Sequence, residues 1–245
     1  MTVHQTVCLS IVSHGQGHLI RSLLSDLQRL ALLDPKKDQI VLTLNIPEDE
    51  KFFNEFASLP LLIIRNTSPK GFGANHNAAF QVSKSDIFIV VNPDIRLRGF
   101  DPAAMLEILS SSDVGLWAPR VLSSTGEVED NARRFPTFSR LGRRVFLRQR
   151  SSDYKVEEHP VSVDWVAGMF MALRRDTYAA VGGFDERYFM YMEDADLCRR
   201  IRRSGMRVIV DPRVEVIHDA QRASRRSLRH LRWHCRSAGR FLLGI

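Results

Sequence analysis

The sequence predicts an α/β fold: a mostly parallel central sheet flanked by helices, followed by a basic amphipathic helix at the C-terminus. Three observations carry that expectation. Short apolar runs alternate with segments whose leucines recur at helical spacing. Polar residues of ligand type stand directly after several of those runs. The excess of positive charge is confined to the end of the chain: from Arg199 to Ile245 there are 13 arginines and 3 acids, net +10, whereas residues 1–198 hold 22 basic and 25 acidic groups, net −3.

Taken in order, VCLSIVSH (7–14) reads as a buried strand and HLIRSLLSDLQRLALL (18–33) as the helix after it. QIVLTLN (39–45), LLIIRN (61–66) and DIFIVVN (86–92) read as further strands, with a helix over GANHNAAFQVSK (73–84) between the last two. Ligands of such sheets bind at the carboxyl ends of the strands, where Ser13, His14, Asn45, Asn66, Asn92 and Asp94 stand. In the second half, VDWVAGMFMALRR (163–175) reads as a strand-like run, and a short helix follows that is ended by Gly182-Gly183. A helix then opens at Glu193 and Asp194, with Leu197, Cys198 and Ile201 facing a core and Gly205 as its stop. The final segment, 227–245, places Leu228, Leu231, Cys235, Ala238 and Leu242 on one stripe with arginines on the other faces. That stripe packs on the sheet or docks at an anionic membrane surface.

Composition narrows the function classes. A chain that is 44% hydrophobic and 26% charged buries a full core and is not disordered. Cys8, Cys198 and Cys235 lie too far apart for a CxxC pair or a disulfide framework, as expected in a reducing compartment. No apolar run approaches the ~18 residues of a membrane span, and the start has no signal-peptide pattern, so an intracellular soluble chain is expected. The basic end admits nucleic acid, but no aromatic-basic or zinc pattern accompanies it. A dinucleotide fold is disfavoured because SHGQGHL lacks the third glycine of GxGxxG.

Two segments carry candidate chemistry. Asn92-Pro93-Asp94 follows the most apolar strand and is either a turn or the place where a carboxylate meets a divalent cation on a diphosphate. Glu193, Asp194 and Asp196 come straight after Tyr188, Phe189, Met190, Tyr191 and Met192, an apolar lining that would shield a reacting carboxylate from water. Helix capping by acids is the competing explanation.

The order of IVSHG, GFGANHN, NPD, VDWVAGMFMALRR, GGFDERYFMYMEDADLCRR and VIH resembles inverting family-2 glycosyltransferases of the GT-A, Rossmann-like fold, over nearly the whole chain. The nearest likeness is to bacterial rhamnosyltransferases that build O-antigen and related cell-wall glycans. The resemblance implies a glycosyltransferase domain over 1–219 with a basic helical segment over 220–245. It implies Mg2+ or Mn2+ at Asp94, with His218 as a second metal or diphosphate ligand, and Asp194 as general base with Glu193 as the alternative within the pair. Ser13, His14, Asn45, Gly71, Asn75, Asn92, Trp165 and Gly168 fall to the nucleotide sugar, and Asp164 to a sugar hydroxyl. The implied donor is dTDP-L-rhamnose and the implied acceptor a polyprenyl-diphosphate-linked glycan. The implied location is the cytoplasmic face of the inner membrane, peripherally bound, with no nucleic-acid partner. Two positions depart from the broader family pattern: the metal motif offers one carboxylate, and the second strand ends in Asn45, with Glu48 only later, where an acid is usual.

Overall fold

The computed structural model describes residues 5–137, 153–219 and 228–244. Strand β1 (Val7–Ser13) lies between β2 (Gln39–Leu44) and β4 (Ile87–Val91), with β3 (Leu61–Arg65) outside β2, and all four run parallel. The five residues of β4 are all buried, which is why its sequence is unbroken aliphatic and aromatic rather than alternating. Next come β10 (Phe170–Arg174), antiparallel to β4, then β6 (Val114–Ser123) and β11 (Arg207–His218), parallel to one another. Short β5 (Ile95–Arg96) and β8 (Val161–Val163) pair antiparallel with β11, giving nine strands among the described residues. A separate ribbon joins β7 (Ala132–Arg133) to β9 (Trp165–Val166).

Helices cover both faces. Helix α1 (Gly17–Leu30) buries Leu19, Ile20, Leu23, Leu24 and Leu27, one apolar stripe, against the face that carries Leu9 and Ile11 of β1. It stops three residues before the expected end because Ala31 turns left-handed, φ 48°, and caps it through Gln28. Helix α2 (Phe72–Val82) lies over the opposite face, where Cys8 and Val41 point. Helix α3 (Pro102–Leu109) starts with proline in its first turn and Asp101 accepting from the Ala103 N–H at 2.9 Å. Helix α4 (Arg175–Ala180) ends before Gly182 and Gly183, both at positive φ. Helix α5 (Glu193–Arg203) buries Leu197, Cys198 and Ile201, as their spacing predicts, and stops before Gly205 at φ +87°.

Two segments differ from the sequence expectation. The run 163–175 is three short strands, not one, because Asp164 and the Ala167–Gly168 turn interrupt it. In helix α6 (Leu228–Leu243) the expected apolar stripe is split: Ala238 is buried, whereas Leu231 is 60% exposed and Cys235 is exposed. The buried residues are Ser237, Ala238 and Phe241, with Phe241 joining the core cluster on the α2 face of the sheet, while Trp233 packs on Phe189. None of the described helices is long and apolar enough to cross a membrane.

One buried group makes stability depend on pH. His76 of α2 is fully enclosed, with Phe72 and Phe184 around its ring and Nδ1 sharing a 2.7 Å hydrogen bond with Ser10. Burial pulls its imidazole down to about 3. Below the ordinary value of 6.5 the unfolded chain takes up a proton that the folded chain refuses. Stability from this group is therefore complete above pH 6.5 and drains by about 1.4 kcal/mol per pH unit as pH falls toward 3. Urea midpoints between pH 7 and 4.5 are expected to fall more steeply for the native sequence than for His76→Phe; parallel slopes would remove His76 as the cause.

Candidate functional site

The carboxyl ends of β1, β2 and β4 open on one edge of the sheet, and the expected site residues gather there in three groups. The first is an amide network. Asn45 Oδ1 accepts from the Lys70 N–H and from Asn66 Nδ2, both at 2.8 Å, while its own Nδ2 donates to the Lys70 carbonyl at 3.0 Å and lies 3.3 Å from His14 Nδ1. Asn66 also donates to Asn75 at 2.7 Å, and Asn75 donates back to the Gly71 carbonyl at 3.0 Å. Ser13 is buried and accepts from the Gln16 N–H, shaping the entry to α1. These side chains fix the 66–71 loop, leaving exposed His14 at its rim. Gly71 has its own packing reason: a Cβ there would stand 2.7 Å from the Phe189 carbonyl oxygen, and the Phe72 N–H donates to that same oxygen at 3.0 Å.

The second group is built by strand register. Because β5 follows Asp94 directly and pairs Ile95 with His218 at the end of β11, the imidazole arrives beside the carboxylate. His218 Nε2 lies 3.1 Å from Asp94 Oδ2, and its Nδ1 lies 2.8 Å from Glu129 Oε2. Burial pulls the imidazole down, but the hydrogen bonds and charges of Asp94 and Glu129 outweigh it and lift it to about 9. Asp94 Oδ1 is buried with no hydrogen-bond partner. A buried orphan carboxylate oxygen beside an imidazole suits a hard divalent cation. Asp94 and His218 would hold the cation once the imidazole sheds its proton, with Glu129 fixing the ring from behind. Among the described residues no group of three or more acids, thiols or imidazoles is placed to hold a metal ion by itself, so ligand oxygens would supply the remaining positions. Glu129 is absent from the sequence reading, since it lies 89 residues from His218 and belongs to no motif. Glu129→Gln keeps an acceptor but loses the charge, so Mn2+ affinity in the presence of nucleoside diphosphate is expected to fall roughly 10- to 100-fold. Paramagnetic-resonance titration measures it, and an unchanged affinity would detach Glu129 from the site.

The third group surrounds the acids. Asp194 Oδ2 accepts from the Gly168 N–H at 3.0 Å and Oδ1 from the Ala195 N–H at 2.8 Å. A Cβ on Gly168 would press on Phe72 at 3.2 Å and lie 3.7 Å from Asp194 Cβ, so glycine allows this close approach. Burial raises the Asp194 carboxyl, against the two N–H groups and the charge of Arg133. Burial and the neighbouring charge of Asp194 raise Glu193 well above the carboxylate range, and its Oε2 has no partner. Asp196 differs: its two oxygens are taken by Arg199 and Arg200, both at 2.8 Å, which makes it a brace within α5. Trp165 is buried, donates Nε1–H to the Arg134 carbonyl at 3.0 Å, and carries the Arg133 guanidinium 5.1 Å above its ring. Asp164 accepts from the Phe135 N–H at 2.9 Å.

The second and third groups share one backbone link. The Asn92 N–H donates to the Met169 carbonyl at 2.9 Å, next to the Gly168 that holds Asp194. Asp94 and Asp194 thus flank the end of β4, one from the sheet and one from α5. Immediately before α5, Tyr191 and Met192 are both left-handed, φ 71° and 69°, at a cost of order 1–2 kcal/mol each in residues with a Cβ.

Comparison with known proteins identifies the fold and the family. The chain is 27% identical over 253 residues to rhamnosyltransferase WbbL of Escherichia coli (strain K12), covering 96% of this chain and 92% of that protein. It is 34% identical over 170 residues to the N-acetylglucosaminyl-diphospho-decaprenol L-rhamnosyltransferase of Mycobacterium tuberculosis, which is 64% of this chain and 55% of that one. Among solved structures, GalNAc-T7 with UDP, GalNAc and Mn2+ superposes with a TM-score of 0.68 at 16% identity, over 88% of this chain and 43% of its own. The mannosyltransferase PcManGT of Pyrobaculum calidifontis, with GDP-Man and Mn2+, gives 0.63 at 17%, over 91% of this chain and 59% of its own. The fold is therefore GT-A, and with residues 50–236 matching the family described as glycosyltransferase like family 2, the chain belongs to that family and stands close to its rhamnosyltransferases.

Proposed function

We propose that the protein is an inverting, metal-dependent rhamnosyltransferase that moves L-rhamnose from dTDP-L-rhamnose to a polyprenyl-diphosphate-linked glycan, in the assembly of a bacterial surface polysaccharide. The observation that carries the reading is the pair of corners at the end of β4: a carboxylate with an orphan oxygen at Asp94, and a half-buried carboxylate with raised proton affinity at Asp194. In this reading the donor diphosphate lies on the Asp94–His218 side, along the loop fixed by Asn45, Asn66 and Asn75. Asp194 takes the proton of an acceptor hydroxyl, the oxygen bonds to the anomeric carbon from the opposite face, and the bond to the diphosphate breaks. Bound Mg2+ or Mn2+ supplies positive charge to the departing diphosphate. Trp165 and the Arg133 lying over it border the acceptor side.

The outward face of α6 supports attachment to a membrane surface, where such an acceptor resides. It presents Arg229, Arg232 and Arg236 together with exposed Leu231 and Leu243. The reading is tested by turnover with dTDP-L-rhamnose, UDP-sugars and GDP-mannose, with Mn2+ or EDTA and polyprenyl-diphospho-N-acetylglucosamine as acceptor. Transfer from dTDP-L-rhamnose alone, lost in EDTA, is the expected result. Transfer from a different donor would overturn the sugar assignment, and equal rates in EDTA the metal.

A further inference from the structure

The turn that delivers the two acids to the site is left-handed at two consecutive non-glycine residues, Tyr191 and Met192, and such a conformation persists only where its surroundings over-determine it. Much of those surroundings is supplied by α6. Trp233 packs on Phe189 with ring centroids 4.8 Å apart, Ser237 Oγ donates to the Met190 carbonyl at 2.8 Å, and His230 Nδ1 shares a 2.8 Å hydrogen bond with the Tyr191 hydroxyl. Three successive loop residues are thus each held by a different turn of one helix. The same helix grips α5 directly: Arg199 donates to the Phe241 carbonyl at 2.9 Å and lies 4.0 Å from the centre of its ring. Met192 is the N-cap of α5, and its carbonyl accepts from the Asp196 N–H at 2.9 Å, so a change in the turn is passed to the first turn of the helix, where Glu193 and Asp194 sit.

We propose that α6 is a brace for this strained turn, and that His230, Trp233 and Ser237 are positioning residues for the acids, acting through Phe189, Met190 and Tyr191. The inference deepens the proposed function, since it rests on Asp194 as the base. It also gives the two faces of α6 separate tasks, the inner one aiming the acids and the outer one left to face its surroundings.

The test uses the full chain carrying Trp233→Ala and Ser237→Ala together. Turnover at saturating donor and acceptor is expected to fall roughly tenfold or more, as for a misaimed catalytic group. Donor affinity with Mn2+, measured by calorimetry, stays unchanged, and amide exchange quickens at residues 190–196 while β1 and β4 keep their protection. A merely stabilising contact would lower the melting temperature without splitting turnover from donor affinity. If the double variant does not fold, Tyr191→Phe, which removes a single hydroxyl, carries the same readouts. Turnover within twofold of the native chain, or exchange at 190–196 unaltered, would overturn the proposal. If the native chain transfers no sugar the proposed function fails, and the exchange measurement still decides whether α6 braces the turn.

Discussion

Asp194→Asn is expected to lose on the order of 10²-fold or more in turnover while binding the donor normally, as the removal of a general base requires. The geometry makes this a demanding substitution. Both carboxylate oxygens accept a backbone N–H, from Gly168 and Ala195, and an asparagine has one oxygen to offer. One N–H is left facing an amide NH2, which costs about 1 kcal/mol locally, offset in part because a poorly solvated charge is removed. A modest drop in melting temperature is therefore compatible with the account, whereas weaker donor binding is not. The same change removes the negative charge that helps to raise Glu193, so Glu193 is expected to titrate lower in the variant. If Asp194→Asn turns over normally and Glu193→Gln is dead, the base is Glu193. If both are active, acid placement at a helix N-terminus is the better explanation of the pair.

Asp94→Ala is expected to abolish the Mn2+-dependent part of donor affinity and leave the fold intact. It removes the orphan oxygen and the partner of His218 together. Calorimetry with dTDP, with Mn2+ and with EDTA, separates the two contributions: the native chain should bind more tightly with Mn2+, and the variant equally in both. With Asp94 gone, one of the two carboxylates that lift His218 to about 9 is lost, so its imidazole is expected to titrate lower, toward 6.5, in metal-free protein. A variant whose affinity still rises with Mn2+ would take Asp94 out of the metal site.

The parts of this molecule legible in the sequence are those governed by local pattern. The aliphatic runs of β1, β2 and β4, the leucine stripe of α1, and the glycines at 182, 183 and 205 each dictate a conformation within a few residues, and the structure places them accordingly. The positions of Asp94 and Asp194 were legible for the same reason, one after a buried strand and one at a helix start. What escaped depends on distant partners. Glu129 reaches His218 only because β11 runs parallel to β6 and ends beside β5, a register that no single segment encodes. The packing role of Gly71 is likewise hidden in the sequence, since the space beside it is filled by the Phe189 backbone, more than a hundred residues away. In the same way, Tyr191 and Met192 carry none of the glycine or asparagine that signals a left-handed turn, and the α6 side chains that meet Met190 and Tyr191 lie far along the chain. The α6 stripe is legible only in part: Ala238 is buried, but Leu231 and Cys235 face outward while Phe241 faces inward and Trp233 packs on Phe189.

The central claim is that Asp194 and Asp94 serve the two ends of one displacement at an anomeric carbon, and its most direct test is the stereochemistry of the product. The full chain is incubated with dTDP-L-rhamnose, Mn2+ and polyprenyl-diphospho-N-acetylglucosamine, and the anomeric configuration of the new glycoside is read by NMR alongside the release of dTDP. The account predicts one dTDP released per glycoside formed, with the configuration inverted relative to the donor. A product of retained configuration would contradict it.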